Sequence, residues 1–174
     1  MLPSTTTHLS LQNSKACSIM ATTFSSSDIR KAIKATVESF LAAYEDGAAQ
    51  NDASIINVTA ACTRHLLPSS VPKVLGLPAD FSINNATFQE VFAKDINFLK
   101  FRNSFMSNLV IDTEERRAAF TGVSKVFVVN SGESYPFECS FALYLTEDGS
   151  KARKVVEFLD KDGTMNMATA STEA

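Results

Sequence analysis

The chain has 174 residues, 45% of them hydrophobic, which is enough for one domain with a sizeable core. Its net charge of −3 and pI of about 5.4 exclude the basic footprint expected of a protein that binds nucleic acid or an anionic membrane. Three cysteines, Cys17, Cys62 and Cys139, are odd in number and lack metal-ligand spacing, which reads as reduced thiols in a cytoplasmic protein.

Residues 1–24 are rich in Ser and Thr, with Lys15 as their one charge, and hold no apolar run long enough for a signal-peptide core. They read as a flexible leader, with Met20 as an alternative start. No segment approaches membrane-spanning length, so no membrane partner is expected. Without export, the sequons at Asn57 and Asn85 are coincidental.

A domain is expected over 25–162. Ser26 or Ser27 can cap a first helix, in which Ile29, Ile33, Val37, Phe40, Leu41 and Tyr44 form one apolar stripe ending near Gly47. A shorter helix can start at Asn51 or Asp52. Residues 62–67 then run extended into Pro68, and 71–81, with Pro72, Gly76 and Pro78, read as a loop. A third helix is predicted over 85–99, with Phe88, Val91, Phe92, Ile96 and Leu99 on one face. Strands follow at 104–112 and 117–128.

The next pair of strands is the clearest signal in the chain. Tyr135, Phe137, Cys139, Phe141, Leu143 and Leu145 share one parity, a period of two that only a strand produces. The Asp148-Gly149 turn then returns the chain along 151–160. Residues 163–174 are small and polar and read as a flexible tail. Helices followed by strands make an α+β domain: a cone-shaped, curved antiparallel sheet packed on about three N-terminal helices and enclosing a pocket.

Candidate site residues are carboxylates and donors where apolar side chains are expected. Asp95 lies near the centre of the third helix's apolar stripe, where burial would raise its pKa and where Arg102, seven residues on, could pair with it. Glu138 lies on the polar parity with Ser140, Ala142 and Tyr144, facing either the cavity or the outer surface. Glu157 and Asp160 lie on opposite parities of the last strand. His65, a residue with near-neutral intrinsic pKa, is the natural proton shuttle, though Arg64 and His65 cannot both point inward from a regular strand. Tyr44 could orient a carbonyl. Phe88, Phe92, Arg102 and Tyr144 complete the candidate substrate contacts. No zinc cluster, phosphate loop, dinucleotide fingerprint or nucleophile elbow is present, so neither metal nor cofactor is expected.

The order of Cys62-Thr63-Arg64-His65-Leu66-Leu67-Pro68, Asn108-Leu109-Val110-Ile111-Asp112, Thr146-Glu147-Asp148-Gly149 and Val155-Val156-Glu157-Phe158-Leu159-Asp160 resembles the SnoaL-like polyketide cyclases. The likeness is strongest to their fungal members, within the nuclear-transport-factor-2-like superfamily. The resemblance implies a cone with a deep pocket, often in a homodimer, and enzymes that isomerise, cyclise or hydrolyse polyketide and meroterpenoid intermediates. It also implies that Asp160 matches a catalytic Asp of bacterial relatives, whose helper His in the preceding strand is missing here, and that an acid is common at the position of Glu138.

Residues and resemblance together point to a cofactor-independent isomerase, cyclase or lyase. It would act by acid–base chemistry on a hydrophobic, carbonyl-containing intermediate of fungal secondary metabolism. The alternative is a non-catalytic small-molecule binder or dimeric interaction module on the same fold. Two-fold pairing is expected through the outer sheet face, because the helices cover only the inner one.

Overall fold

The computed structural model describes residues 24–45 and 57–172. The leader, the short helix expected near Asn51, His8 and Cys17 lie outside them. Among the described residues, helix α1 spans Ser26–Glu45, strand β1 Val58–Leu67, helix α2 Ser70–Val74 and strand β2 Ser82–Asn84. Helix α3 covers Asn85–Asp95, followed by strands β3 Leu99–Asp112, β4 Arg117–Val128, β5 Ser134–Leu145 and β6 Ala152–Leu159, and by helix α4 Lys161–Thr172.

The strands form one curved sheet in the order β2-β1-β6-β5-β4-β3. All neighbours are antiparallel except β1 and β6, which run parallel, with Leu66 opposite Glu157. The α+β cone is therefore present, and its sheet is mixed and six-stranded. The parallel pair arises because β1 returns from the helical half of the chain to the free edge of β6.

Helix α1 starts where Ser25 Oγ accepts the Asp28 amide at 3.1 Å, one residue before the expected caps. Its stripe of Ile29, Ile33, Val37, Phe40 and Leu41 is buried against the sheet. At its C-terminal end the Glu45 carboxylate accepts the backbone N–H groups of Asn103 and Ser104, each at 2.9 Å. These bonds hold the Glu45 pKa below the ordinary carboxylate value. They pin α1 to a bulge of β3 at which Asn103 takes φ 55°, and Asn108 repeats that conformation at a second irregularity. Bulges add local twist, so these two asparagines curl the long strand around α1.

Helix α3 ends at Asp95, and Leu99 already belongs to β3. Arg102 is consequently a strand residue, exposed, with Nη1 donating to the Glu45 carbonyl at 3.2 Å. Val91 also faces solvent. The expected loop at 71–81 contains α2, and the expected tail is a helix. Asp160 explains the latter: its Oδ2 accepts the Gly163 amide at 2.7 Å and its carbonyl accepts Thr164 Oγ1 at 2.6 Å, so an acid read as catalytic starts a helix instead.

The hairpin turn between β5 and β6 is wedged beneath α1. Gly149 has φ +73°, a Cβ there would lie 2.9 Å from Ile33 Cγ1, and its carbonyl accepts the buried Thr36 hydroxyl at 2.8 Å. Gly149→Ala therefore combines left-handed strain with overpacking, and a loss of roughly 2–4 kcal/mol is expected in chemical denaturation. An unchanged midpoint would refute the close packing of the turn on α1.

Candidate active site

Strand parity divides the candidate residues between two faces. In β5, Phe137, Cys139, Phe141 and Leu143 point toward the helices and Glu138, Ser140, Ala142 and Tyr144 point away. The register Phe141↔Glu157 and Leu143↔Val155 puts Glu157 inward, and Arg64↔Val155 does the same for Arg64. Cross-strand neighbours in a sheet share a face.

On the inner face lies a mostly apolar cavity of about 300 Å³. Its wall takes Leu41 and Tyr44 from α1, Phe88, Phe92 and Asp95 from α3, and Leu99 and Phe101 from β3. The sheet adds Gly122, Ser124, Phe137, Cys139, Phe141, Glu157 and Leu159, while Leu75 and the α4 residues Thr164, Met167 and Ala168 close the rest. Tyr44 stands edge-on to Phe40, Phe92 and Phe101 with ring centroids 5.6, 5.5 and 5.8 Å away, which fixes the orientation of its hydroxyl.

The polar centre of this wall is built on Arg64. The residue is 1% exposed, and Nη1 donates to Glu157 Oε1 at 2.8 Å and to the Tyr44 hydroxyl at 2.9 Å. The ring of Phe88 covers the guanidinium, with Cζ 3.5 Å from the ring centroid. Burial alone would pull the arginine pKa down, but Tyr44 and Glu157 outweigh it and hold it above the ordinary value. Burial likewise pushes the Tyr44 hydroxyl and the Cys139 thiol well above their ordinary ranges. Tyr44 and Cys139 are therefore protonated at neutral pH.

Asp95 is half-buried on the cavity wall, and burial raises its pKa, with Lys94 opposing. Its charged form is disfavoured by the apolar site, the environment expected of a carboxyl group that moves a proton. The structure thus brings Asp95, Glu157, Tyr44, Phe88 and Phe92 together around one cavity.

The remaining candidates lie elsewhere. His65 is on the outer face, with Nε2 3.2 Å from Thr63 Oγ1, and burial together with Lys154 lowers its pKa, so it is a neutral surface imidazole. Glu138 is exposed on the same face. Tyr144 is also outside, its ring flanked by Arg117 at 4.8 Å and Lys154 at 5.2 Å. Asp160 and Arg102 are occupied structurally as described. Arg64 and the α4 residues were not singled out from sequence. The signal for Arg64 was its parity with Cys62 and Leu66; that for α4 was an Asp three residues before Gly163.

Among the described residues, no three His, Cys, Asp or Glu side chains cluster as metal ligands, and no helix is long and apolar enough to cross a membrane. No family model matches the sequence, and no curated protein does. Solved structures do. BvnE pinacolase from Penicillium brevicompactum superposes with a TM-score of 0.64 at 19% identity, over 91% of this chain and 100% of that one. PrhC from Penicillium brasilianum NBRC 6234 gives 0.62 at 20% identity, over 83% and 92%. A nuclear-transport-factor-2-like protein of Burkholderia pseudomallei K96243 gives 0.57 at 11%, over 79% and 98%. The chain has the nuclear-transport-factor-2-like fold. This is the fold implied by the SnoaL-like resemblance.

The buried pair yields a stability test. Removing one partner strands a charge in an apolar wall, at a cost of about 3–5 kcal/mol, whereas replacing both by apolar groups recovers most of it. Glu157→Leu should therefore unfold far more easily than Arg64→Met combined with Glu157→Leu. Equal losses in the single and double variants would refute the pairing.

Proposed function

We propose that the protein is a cofactor-independent isomerase, cyclase or lyase that works by acid–base chemistry on a hydrophobic, carbonyl-containing intermediate of fungal secondary metabolism. The observation that carries this reading is Asp95: a carboxyl group of raised pKa on the wall of an apolar cavity. The cavity wall also holds Glu157 and the phenol of Tyr44. The similarity in fold to BvnE, a pinacolase, supports an enzyme.

Abstraction of a proton next to a carbonyl requires a base near the carbon and a donor near the oxygen. Asp95, ionised, is the base; once protonated it returns the proton to another carbon, which moves a double bond, or to the alkoxide oxygen formed when the enolate carbon adds to a second carbonyl and closes a ring. Tyr44 donates to the carbonyl oxygen that gains charge. Arg64 fixes the phenol and balances Glu157. The phenylalanine walls exclude water and strengthen each of these interactions. Free Cys62 and Cys139 suit a reducing cytoplasm.

The test is isotope exchange in D2O, read by NMR, on cyclic ketones small enough for the cavity. Wild-type protein should exchange their α-protons, and Asp95→Asn should lose about 10²- to 10⁴-fold in rate while still binding the ketone. Binding without exchange in the wild type would make the protein a binder and refute the enzyme.

The raised pKa has a second consequence. Because the folded state favours protonated Asp95, its contribution to stability is complete below the ordinary aspartate pKa and is lost as pH rises through the folded value. Relative to wild type, Asp95→Asn should therefore gain stability from mildly acidic to neutral pH, measured by thermal denaturation across that range. A flat difference would show that Asp95 titrates normally.

We also propose pairing of two copies through the outer sheet face. Phe105 is 56% exposed, Val110 65% and Phe158 48%, each on the parity turned away from the helices. Sedimentation at micromolar concentration should show a dimer, and only an 18.9 kDa species would refute it.

A further inference from the structure

Glu157 spends one of its two carboxylate oxygens on structure. Oε1 accepts Arg64 Nη1 at 2.8 Å, and none of the described residues donates a hydrogen bond to Oε2. Among those residues, the polar side-chain atoms that are both unbonded and sealed from solvent are Arg64 Nε and Nη2, Asn85 Oδ1 and the Tyr135 hydroxyl. Glu157 Oε2 is unbonded without being one of them, so it reaches open space.

That space is the inner cavity. The pairing with Phe141 turns Glu157 toward the helices, and Glu157 is part of the cavity wall whereas Arg64 is not. The two side chains differ accordingly: that of Arg64 keeps no accessible surface and that of Glu157 keeps 9%. The ion pair thus presents its acceptor to the cavity and hides its donors. A carboxylate oxygen so deeply buried meets little water, and a ligand hydroxyl that reaches it forms a hydrogen bond of the stronger, charge-assisted kind.

The rest of the wall decides which ligands can make that bond. Among the described residues that line the cavity none is Lys, Arg or His, while Asp95 adds a second carboxyl group. An anion entering this space would lose its hydration, touch no cation and face Oε2. A neutral hydroxyl costs far less to desolvate and brings the proton that Oε2 lacks.

From this we infer that the cavity takes neutral ligands carrying a hydroxyl group, which donates to Glu157 Oε2, and rejects the corresponding anions. This rests on the acid–base reading above and narrows its substrate class to hydroxylated ketones rather than keto acids. Glu157 is then a binding residue that selects the substrate, and Asp95 is the residue that moves the proton.

Three ketones on one scaffold test this in calorimetric titration at pH 7: 7-hydroxy-1-tetralone, 7-methoxy-1-tetralone, whose ether oxygen has no proton to donate, and 1-tetralone-7-carboxylate, an anion at that pH. The hydroxy ketone should bind roughly 10- to 100-fold more tightly than the methoxy ketone, the range expected for a charge-assisted hydrogen bond, and the carboxylate should bind most weakly. Glu157→Gln keeps its oxygen on Arg64 and turns N–H toward the cavity, so it should remove the preference for the hydroxyl. Because that variant leaves the Arg64 charge unmatched and risks misfolding, the decisive measurement uses unmutated protein. The side-chain carboxyl ¹³C signal of Glu157 should move on titration with the hydroxy ketone and several-fold less with the methoxy ketone.

Equal affinity for the hydroxy and methoxy ketones, tightest binding by the carboxylate, or a Glu157 signal that responds alike to both neutral probes would overturn the inference. Asp95→Asn separates it from the reading on which it rests: that variant should lose proton exchange and keep the preference for the hydroxyl. Loss of the preference in Asp95→Asn would put the hydroxyl on Asp95 and overturn the assignment to Glu157. Wild-type protein that prefers the hydroxy ketone without exchanging its α-protons would refute the enzyme and uphold the ligand class.

Discussion

Burying a guanidinium is the constraint on which the rest of this structure depends. A charge almost fully withdrawn from water must meet partners from several directions at once, because desolvation costs several kcal/mol even after relaxation. Arg64 obtains them from three elements that are far apart in sequence: Glu157 from β6, Tyr44 from the end of α1 and Phe88 from α3. Each bond also positions a cavity wall. The parallel β1–β6 pairing, which sets Arg64 beside Val155 and Leu66 opposite Glu157, is what brings cation and carboxylate to the same face. The polar centre of the site and the central joint of the sheet are therefore one arrangement.

Alternation along the strands does the sorting. Once Cys139, Phe141 and Leu143 pack inward, every even-numbered residue of β5 must face out, and the register extends that choice to β6 and β1. Glu157 and Arg64 go inward together, and Glu138, Tyr144 and His65 go outward together. No single residue could be moved to the other face without a shift that would expose the core. The dimer surface proposed here is the complement of the cavity by the same rule.

That logic was legible in the sequence to the extent that periodicity carries it. The β5 alternation, the Asp148-Gly149 hairpin, the α1 stripe and the anomalous carboxylate at Asp95 were all readable, because each is a local pattern with one geometric meaning. Pairing between distant strands has no such local signature. Arg64 and His65 competed for one inward position, and the imidazole's chemistry favoured the wrong member; the pairing with β6 decides for Arg64, whose partner is 93 residues away. Asp160 misled for a related reason, since an acid after a strand reads as a site until the helix it caps is seen. Helix α4 is only weakly amphipathic, and its Thr164, Met167 and Ala168 acquire meaning as cavity walls rather than as a stripe.

The division of roles among the acids follows from their surroundings rather than their identity. Glu157 and Asp95 line the same cavity, yet one is bonded to a guanidinium and the other has burial as its largest influence with only Lys94 opposing. A carboxylate tied to Arg64 at 2.8 Å is held in place, and so is suited to fixing a cation. A carboxyl group raised by desolvation exchanges its proton nearer neutral pH, and so is suited to moving one. Two carboxyl groups on the wall of one apolar cavity therefore do different work: the one bonded to a guanidinium holds that cation in place, and the one whose charged form burial disfavours is the better placed to move a proton.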